Sequence, residues 1–306
     1  MNRLARLSVE DIQAWIGEVH LSDLKGQTPY YIPVLNQVNP EVFALQIHCL
    51  KGEILSWGDE TVTFPLMSVI KPFLLLYLLT HLGEDAVFRR VGKQASSYPF
   101  NSLTQLQEDR GFPRNPMINS GAIALADLLA GETPESRCEN LLLWLNEMGN
   151  CQLFLDRSVL ESVHSYPNAH NQALSLELEK NGYISHRYLA LETYNRICCL
   201  SGKIDDLANL GKLILASSFA EIILEIMTNS GLYEASEKFA IEVGFPTKSG
   251  VSGALLSIVP QQGAIACYSP LLNEQGNSIL GLNLLTYISR WMELNITILL
   301  QKLTQK

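Results

Sequence analysis

The chain has 306 residues, of which 47% are hydrophobic and 17% are charged. A chain of this length can bury a sizeable core in one large domain or two joined lobes. Long disordered segments are excluded, because the charged fraction is low and aliphatic residues occur throughout. Lys and Arg number 22 against 31 Asp and Glu, a net charge of −9. This acidic balance, without a basic cluster, argues against nucleic acid as a partner.

Membrane and secretory signals are absent from the sequence pattern. The longest apolar run, Phe73 to Leu79, is far shorter than the roughly 20 residues of a membrane-spanning helix. We expect a buried helix there and no membrane partner. The first residues lack an apolar signal segment, which favours a cytoplasmic protein. The six cysteines include no C-x-x-C pair, so we expect reduced, packed thiols.

Strand patterns occur near both ends of the chain and helix patterns between them. Ser8 and Asp11 have the spacing of a helix N-terminal capping box, so the first helix follows Ser8. Strands are predicted at 42–49, 53–57, 252–259 and 263–268. Helices are predicted over most of 68–200, with loops at 93–116 and 164–170, and then over 205–228 and from about 277.

This order predicts an α/β (α+β) fold, with one antiparallel sheet flanked by helices and a helical lobe inserted into it. The chain is then a single domain over 1–306. Its sheet lobe comprises about 1–67 together with 205–306, and its helical lobe about 68–204.

The sharpest chemical signal is Ser68-Val69-Ile70-Lys71, directly before the apolar run. Residues i and i+3 share a helix face, so the Lys71 amine can reach the Ser68 hydroxyl. A serine nucleophile needs a base beside it, and a lysine can serve if burial lowers its pKa. Alone the motif is weak, because Ser68 could equally be a helix cap with a solvated lysine three residues on.

A second signal is Lys248-Ser249-Gly250, which leads into the predicted strand at 252–259. A K-[ST]-G strand edge borders the site of penicillin-recognising acyl transferases, although the tripeptide could also be a plain turn. Asn119 lies at the start of a predicted apolar helix, where its side chain could cap the helix or could direct its amide at a ligand. Tyr31, Tyr194 and Tyr233 could all be core residues with their hydroxyls at the edge.

Taken in order, the motifs resemble the serine-dependent glutaminases, in their short bacterial form, over roughly residues 10 to 290. The matching strings are Tyr31-Ile32-Pro33, Ser68-Val69-Ile70-Lys71, Pro99-Phe100-Asn101-Ser102, Asn115-Pro116-Met117-Ile118-Asn119, Lys248-Ser249-Gly250-Val251-Ser252-Gly253 and Gly276-Asn277-Ser278. The resemblance implies a β-lactamase-like fold, hydrolysis of L-glutamine to L-glutamate and ammonia, no metal or organic cofactor, and a homo-oligomer, a tetramer.

The resemblance also implies roles for individual residues. Ser68 would be the nucleophile and Lys71 its base, with the remaining positions assisting proton transfer, binding substrate or forming the oxyanion hole. By position, Tyr31 and Tyr233 match the tyrosines near the nucleophile, Asn119, Asn171 and Tyr194 match substrate-binding positions, and the Val251 N–H, with that of Ser68, matches the oxyanion hole.

One substrate-facing position departs from the family. Members of the family usually carry a glutamate seven residues before the asparagine that corresponds to Asn171. The residue at that spacing is His164, and the nearest acid is Glu161. Either of these two side chains could face the substrate; alternatively, Glu161 is a solvated helix charge and His164 a loop residue.

Two alternatives to a glutaminase remain open at this point. The first is a Ser-Lys amidohydrolase with another substrate, such as a β-lactamase, although penicillin targets lie outside the cytoplasm. The second is a non-catalytic amino-acid-binding descendant of the enzyme, which the changed acidic position favours. Ammonia release from glutamine separates both from a glutaminase.

Overall fold

The computed structural model describes residues 3–19, 25–96, 98–166 and 168–292. Helices α1 to α13 occupy Val9–Glu18, Pro33–Asn36, Lys71–Phe88, Leu103–Glu108, Asn119–Ala126, Pro134–Gly149, Arg157–Ser165, Ala169–Lys180, Arg187–Cys198, Ile204–Ala216, Ala220–Ser230, Ser236–Glu242 and Ile279–Trp291. Strands β1 to β8 occupy Ala44–Cys49, Ile54–Gly58, Phe64–Pro65, Phe154–Leu155, Leu200–Gly202, Thr247–Ser249, Ala254–Val259 and Gly263–Tyr268. Across these described ranges, no helix is long and apolar enough to cross a membrane.

The main sheet is built from both ends of the chain, as predicted. Its strand order is β2-β1-β8-β7-β6, and every neighbouring pair is antiparallel. The predicted hairpin at 42–57 and the predicted pair at 252–268 are both confirmed, with ends that shift by at most two residues. The first helix is also confirmed, since the Ser8 hydroxyl accepts a hydrogen bond from Asp11 N at 3.0 Å.

Helices cover both faces of this sheet. Successive residues of a strand point to opposite faces, and Leu255 and Leu256 accordingly belong to two different apolar clusters. Helix α10 packs on the face of Leu256 together with the helices of the middle of the chain. Helices α1 and α13 cover the face of Leu255. Burial on both faces explains why β7 and β8 have apolar runs without alternation.

Lys248 and Ser249 lie in a strand of their own, β6, which pairs with β7, so the strand-edge interpretation of this tripeptide is confirmed and the plain turn is not. Two details differ from the predictions. A second sheet, β3-β5-β4, was not predicted, because strands of two or three residues show no periodicity. Helix α4 occupies part of the predicted loop at 93–116, and the Ser102 hydroxyl caps it.

Candidate active site

Ser68 lies in a tight turn between β3 and the buried helix α3. The turn is a single 3₁₀ stretch, Met67–Ile70, and it continues directly into α3. Met67 has a φ of +47°, a left-handed conformation that costs a non-glycine residue free energy and is found most often at functional sites. The Ser68 side chain is only 8% exposed. The fold therefore holds one buried hydroxyl at the N-terminus of a helix.

The Lys71 side chain is buried, and its amine bonds to groups other than the Ser68 hydroxyl. Its Nζ donates hydrogen bonds to the Met117 carbonyl at 3.0 Å and to Asn119 Oδ1 at 2.8 Å. Within the described residues it makes none to the Ser68 side chain, which the i, i+3 spacing had suggested. Burial lowers the pKa of Lys71 to about 8, and the nearby Cys198 thiol opposes this shift. A substantial fraction of the amine is therefore neutral near physiological pH.

Tyr233 is the side chain that interacts with Ser68. Burial raises the pKa of Tyr233 to about 12, although its contacts with the Ser68 and Ser249 side chains oppose the rise. Its hydroxyl also lies 3.4 Å from the Ser249 carbonyl oxygen, and its ring packs on Phe100 at a centroid distance of 4.4 Å. Like Met67, Tyr233 is a non-glycine residue with a positive φ, +57°. Strained backbone therefore flanks the hydroxyl of Ser68 on two sides.

A second buried lysine lies behind Tyr233. Lys248 Nζ donates to the carbonyls of Gly231, at 2.9 Å, and Ser249, at 2.6 Å. It also lies 4.4 Å from the centroid of the Tyr233 ring, over its face. Burial, with repulsion from Lys71, holds the pKa of Lys248 well below its ordinary value. Through these two hydrogen bonds, Lys248 links the segment just before Tyr233, at Gly231, to the last residue of β6, Ser249.

Asn119 connects Lys71 to the other predicted substrate-binding residues. Its Oδ1 accepts hydrogen bonds from Lys71 Nζ and, at 3.2 Å, from the Tyr194 hydroxyl. Its Nδ2 donates to Asn171 Oδ1 at 2.9 Å. Asn119 is the first residue of α5 and does not cap it. The structure thus brings together residues from α3, α5, α8 and α9 in one hydrogen-bonded network.

Val251 and Tyr31 lie at the edges of this network. Val251 follows β6, and its N–H has no acceptor in the described part of the chain. A Cβ on the preceding Gly250 would lie 2.6 Å from the Leu66 carbonyl oxygen, so only glycine allows this turn to approach the Ser68 turn. Tyr31 is 37% exposed, and its pKa is raised by burial and by neighbouring Tyr233.

Glu161 and His164 lie apart from this network, on the other side of α7. Both line a cavity of about 580 Å³ whose walls include none of the network residues. His164 Nε2 lies 2.9 Å from a carboxylate oxygen of Glu192. The neighbouring Val163 instead packs on the apolar cluster that contains Met67 and Val251. Val163 is therefore one of three α7 residues at this cluster, with Val159 and Leu160, and the sequence did not single it out.

Sequence reasoning also missed Cys198. This thiol lies one helical turn after Tyr194 and interacts with the Tyr194 hydroxyl and with both buried lysines. Burial raises its pKa to about 11, so it remains protonated. Only its place four residues after Tyr194, on the same face of α9, could have indicated it. All six cysteines are described and none forms a disulfide; over the described ranges no group of three or more His, Cys, Asp or Glu side chains could hold a metal ion.

The low pKa of Lys71 predicts a pH-dependent contribution to stability. The folded pKa of about 8 lies below the ordinary value of 10.5, so the unfolded chain binds more protons between these values and the contribution rises with pH. Relative to Lys71→Met, the wild-type free energy of unfolding should rise by about 2 kcal/mol between about pH 8 and about pH 9.5. Urea titrations of both proteins measure this, and the buried thiols cancel in the difference. A flat difference would mean that Lys71 contacts water.

Comparisons with known proteins agree with this geometry. A family model described as Glutaminase matches residues 26–297. A glutaminase of Synechocystis sp. is 45% identical, with 94% of this chain and 91% of the relative covered. A glutaminase of Geobacillus thermodenitrificans is 33% identical, with 94% and 98% covered.

Solved structures give the same result for the fold. A structure titled probable glutaminase YbaS superposes with a TM-score of 0.87 at 30% identity and covers 94% of this chain and 98% of its own. A probable glutaminase from Bacillus subtilis complexed with 6-diazo-5-oxo-L-norleucine has a TM-score of 0.84 at 26% identity, with 95% and 98% covered. The predicted β-lactamase-like α/β fold is confirmed. The match extends over nearly the whole chain, and so the chain belongs to the glutaminase family.

Proposed function

We propose that this protein hydrolyses L-glutamine to L-glutamate and ammonia through an acyl-enzyme on Ser68. The observation that carries the proposal is the buried network around Ser68, in which a serine at a helix start shares one site with a lysine of lowered pKa and a tyrosine hydroxyl. A serine, a base and a proton-carrying hydroxyl are the groups that acyl transfer to serine requires. Membership of the glutaminase family supports the choice of glutamine as substrate.

In the first step Ser68 Oγ attacks the side-chain amide carbon of glutamine, and neutral Lys71 takes the Ser68 proton. Catalytic hydrogen bonds commonly tighten only when substrate is bound, so the bond from Lys71 to Asn119 is compatible with this role. The N–H groups of Val251 and Ser68 stabilise the oxyanion. The Val251 N–H has no acceptor among the described residues, and the Ser68 N–H belongs to a first helical turn, where amides have no intrahelical partner.

Collapse of the tetrahedral intermediate breaks the bond to the amide nitrogen, which leaves as ammonia after receiving a proton. We assign that transfer to Tyr233, because its hydroxyl interacts with Ser68; the proton that Lys71 took from Ser68 then restores the Tyr233 hydroxyl and leaves Lys71 neutral. Water then hydrolyses the Ser68 ester, which releases glutamate and restores the hydroxyl. Asn119, Asn171 and Tyr194 bind the polar end of glutamine, and Tyr31 lies at the exposed edge. The sequence of steps requires no metal and no organic cofactor.

Covalent labelling tests this assignment. A diazoketone analogue of glutamine, 6-diazo-5-oxo-L-norleucine, should add to Ser68, with loss of dinitrogen, and stop ammonia release. We expect one adduct per chain by intact mass, on the peptide that contains Ser68, and protection by excess glutamate. The competing nucleophile is Cys198, and its pKa of about 11 makes it a poor one. An adduct on Cys198, or an adduct that forms equally in Ser68→Ala, would contradict the mechanism.

We further propose that the protein acts in the cytoplasm as a homotetramer. The support for both is the resemblance to the short bacterial glutaminases. Light scattering coupled to size-exclusion chromatography measures the oligomer, and fractionation of the source cells measures the compartment. A stable monomer that hydrolyses glutamine at full rate would contradict the tetramer.

A further inference from the structure

Helix α7 has two chemically different faces, and the apolar one lies toward Ser68. Val159 and Val163 are four residues apart, so they share a face, and both belong to the apolar cluster with Met67 and Val251. On the same helix, the Ser162 hydroxyl accepts a hydrogen bond from Val34 N at 3.2 Å, which ties α7 to the segment after Tyr31. Glu161 and His164 instead line the cavity that includes none of the network residues.

The polar face of α7 has partners of its own. Glu161 and His164 are exposed and line the cavity of about 580 Å³ described above. The carboxylate beside His164, Glu192, also forms an ion pair with Arg196 Nε at 2.9 Å. These charges are thus engaged outside the Ser68 network.

Among the described residues, the network contains two lysines and no carboxylate. Lys71 and Lys248 are 1% and 0% exposed. Their amines bond to carbonyl and amide oxygens, and no carboxylate contributes to the shift of either pKa. Considering only the described residues, no hydrogen bond or ion pair joins a carboxylate to Ser68 or to the residues of its network. The carboxylate nearest to the network along the chain is that of Glu234, the residue after Tyr233. It is exposed, and it affects the pKa of Tyr233 only through its charge.

This charge distribution matters for a free amino acid. The α-ammonium of glutamine needs an acceptor or counter-charge when it leaves water, and an anionic partner forms the stronger hydrogen bond. Neither lysine can supply that counter-charge, and no carboxylate among the described residues contacts the network to do so. Glutamine without its α-amino group, 5-amino-5-oxopentanoate, keeps the amide and the far carboxylate and has no ammonium that must leave water.

We propose, on the basis of the proposed function, that this site takes linear carboxamides with a distal carboxylate and does not select for a free α-amino group, and that Val163 is the specificity-determining residue. The site then hydrolyses 5-amino-5-oxopentanoate at least about as efficiently as glutamine. Had the site held a carboxylate for the ammonium, the deaminated amide would lose a factor of about 10 to 150 in kcat/KM.

The first experiment compares the two amides by ammonia release from the wild-type enzyme. We expect a ratio of kcat/KM, glutamine over 5-amino-5-oxopentanoate, of no more than about 3. A ratio above about 10 would overturn the inference while leaving the proposed function intact. Absence of ammonia from both amides, with a folded protein, would overturn the proposed function and this inference with it.

The second experiment installs the missing charge. Val163→Glu should raise the same ratio by at least about 10-fold, whereas the uncharged Val163→Gln should leave it within about 2-fold. Glu161→Gln and His164→Gln, on the other face of α7, are matched controls and should also leave it unchanged. A ratio that falls in Glu161→Gln would overturn the inference, because Glu161 would then meet the ammonium.

A third variant keeps the inference testable should Val163→Glu fail to fold. Glu234→Gln removes the exposed carboxylate nearest to Tyr233 without adding a buried charge. We expect the ratio of kcat/KM to stay within about 2-fold of wild type. A ratio that falls about 10-fold or more would identify Glu234 as the partner of the ammonium and overturn the inference.

Discussion

Replacing Ser68 with alanine should lower kcat for glutamine by at least about a thousandfold, since the loss of a nucleophile that acts as a unit with its base typically costs more than that. The substitution removes one hydroxyl from a side chain that is 8% exposed, and the 3₁₀ turn makes its hydrogen bonds through backbone atoms. The fold should therefore persist. A coupled assay of ammonia measures the residual rate, with enzyme produced in a host that has no glutaminase of its own. Circular dichroism reports whether the fold persists.

Ser201→Ala is the matched control for this variant. Ser201 lies in β5, is fully buried, and its hydroxyl has no hydrogen-bond partner in the structure. Ser201→Ala therefore removes the same atom as Ser68→Ala, a serine hydroxyl oxygen, at a position outside the network. Full activity in Ser201→Ala beside an inactive Ser68→Ala would assign the loss to the chemistry. Retention of more than about a tenth of the wild-type rate by Ser68→Ala, a barrier change of only about 1.4 kcal/mol, would show that another group attacks the amide.

The sequence predicted the sheet well because its strands are long and bounded by glycine. Gly52 lies in the turn of the first hairpin and Gly263 begins the last strand, and the apolar runs of these strands are unmistakable. The sheet formed by β3, β4 and β5 could not be predicted. Its pairings join residues far apart in sequence, as in Phe64 opposite Gly202 and Phe154 opposite Ser201, and nothing local in so short a strand encodes such a partner.

The sequence motifs identified residues of the network but not the hydrogen-bond partners of their side chains. Ser68, Lys71 and Asn119 were chosen from motifs, but their partners follow from tertiary contacts over 46 and 48 positions. The spacing in the α3 segment put Lys71 on the face of Ser68, whereas the carbonyl of Met117 and the amide of Asn119 compete for its amine. A buried donor follows its available acceptors, and these lie at the start of α5 and in the segment just before it.

The orientation of α7 illustrates a limit of counting residues. Counting seven back from Asn171 selects His164, yet the helix directs Val163 toward Met67, one residue earlier. One additional residue in the connection between α7 and α8 rotates the selected position by about 100°, because an α-helix has 3.6 residues per turn. The family's spacing therefore transfers correctly only where the connecting loop has the same length. Cys198 was missed for another reason, since a lone thiol carries no sequence signal for its neighbours.

Lys71→Arg should be almost as damaging as Lys71→Met, and both should lower kcat by at least about a hundredfold, because general-base transfer contributes about that much or more. A guanidinium stays protonated at any working pH and cannot accept the Ser68 proton. In the wild-type enzyme kcat/KM should rise with pH through about 8, the pKa of Lys71, since the neutral amine is the active form. Stopped assays of ammonia from pH 6 to about 9.5 measure this limb.

The control is Lys93→Arg, because Lys93 is a surface residue paired with Glu84 and has no contact with the network. It should retain the wild-type rate and the same rising limb. The charge is conserved in both arginine variants, so a loss confined to Lys71→Arg separates proton acceptance from simple electrostatics. An active Lys71→Arg enzyme, or a limb near pH 8 that persists in Lys71→Met, would exclude Lys71 as the base. Tyr233 would then be the remaining acceptor, and its pKa of about 12 would require a phenolate that is scarce at neutral pH, which is why the structure favours the lysine.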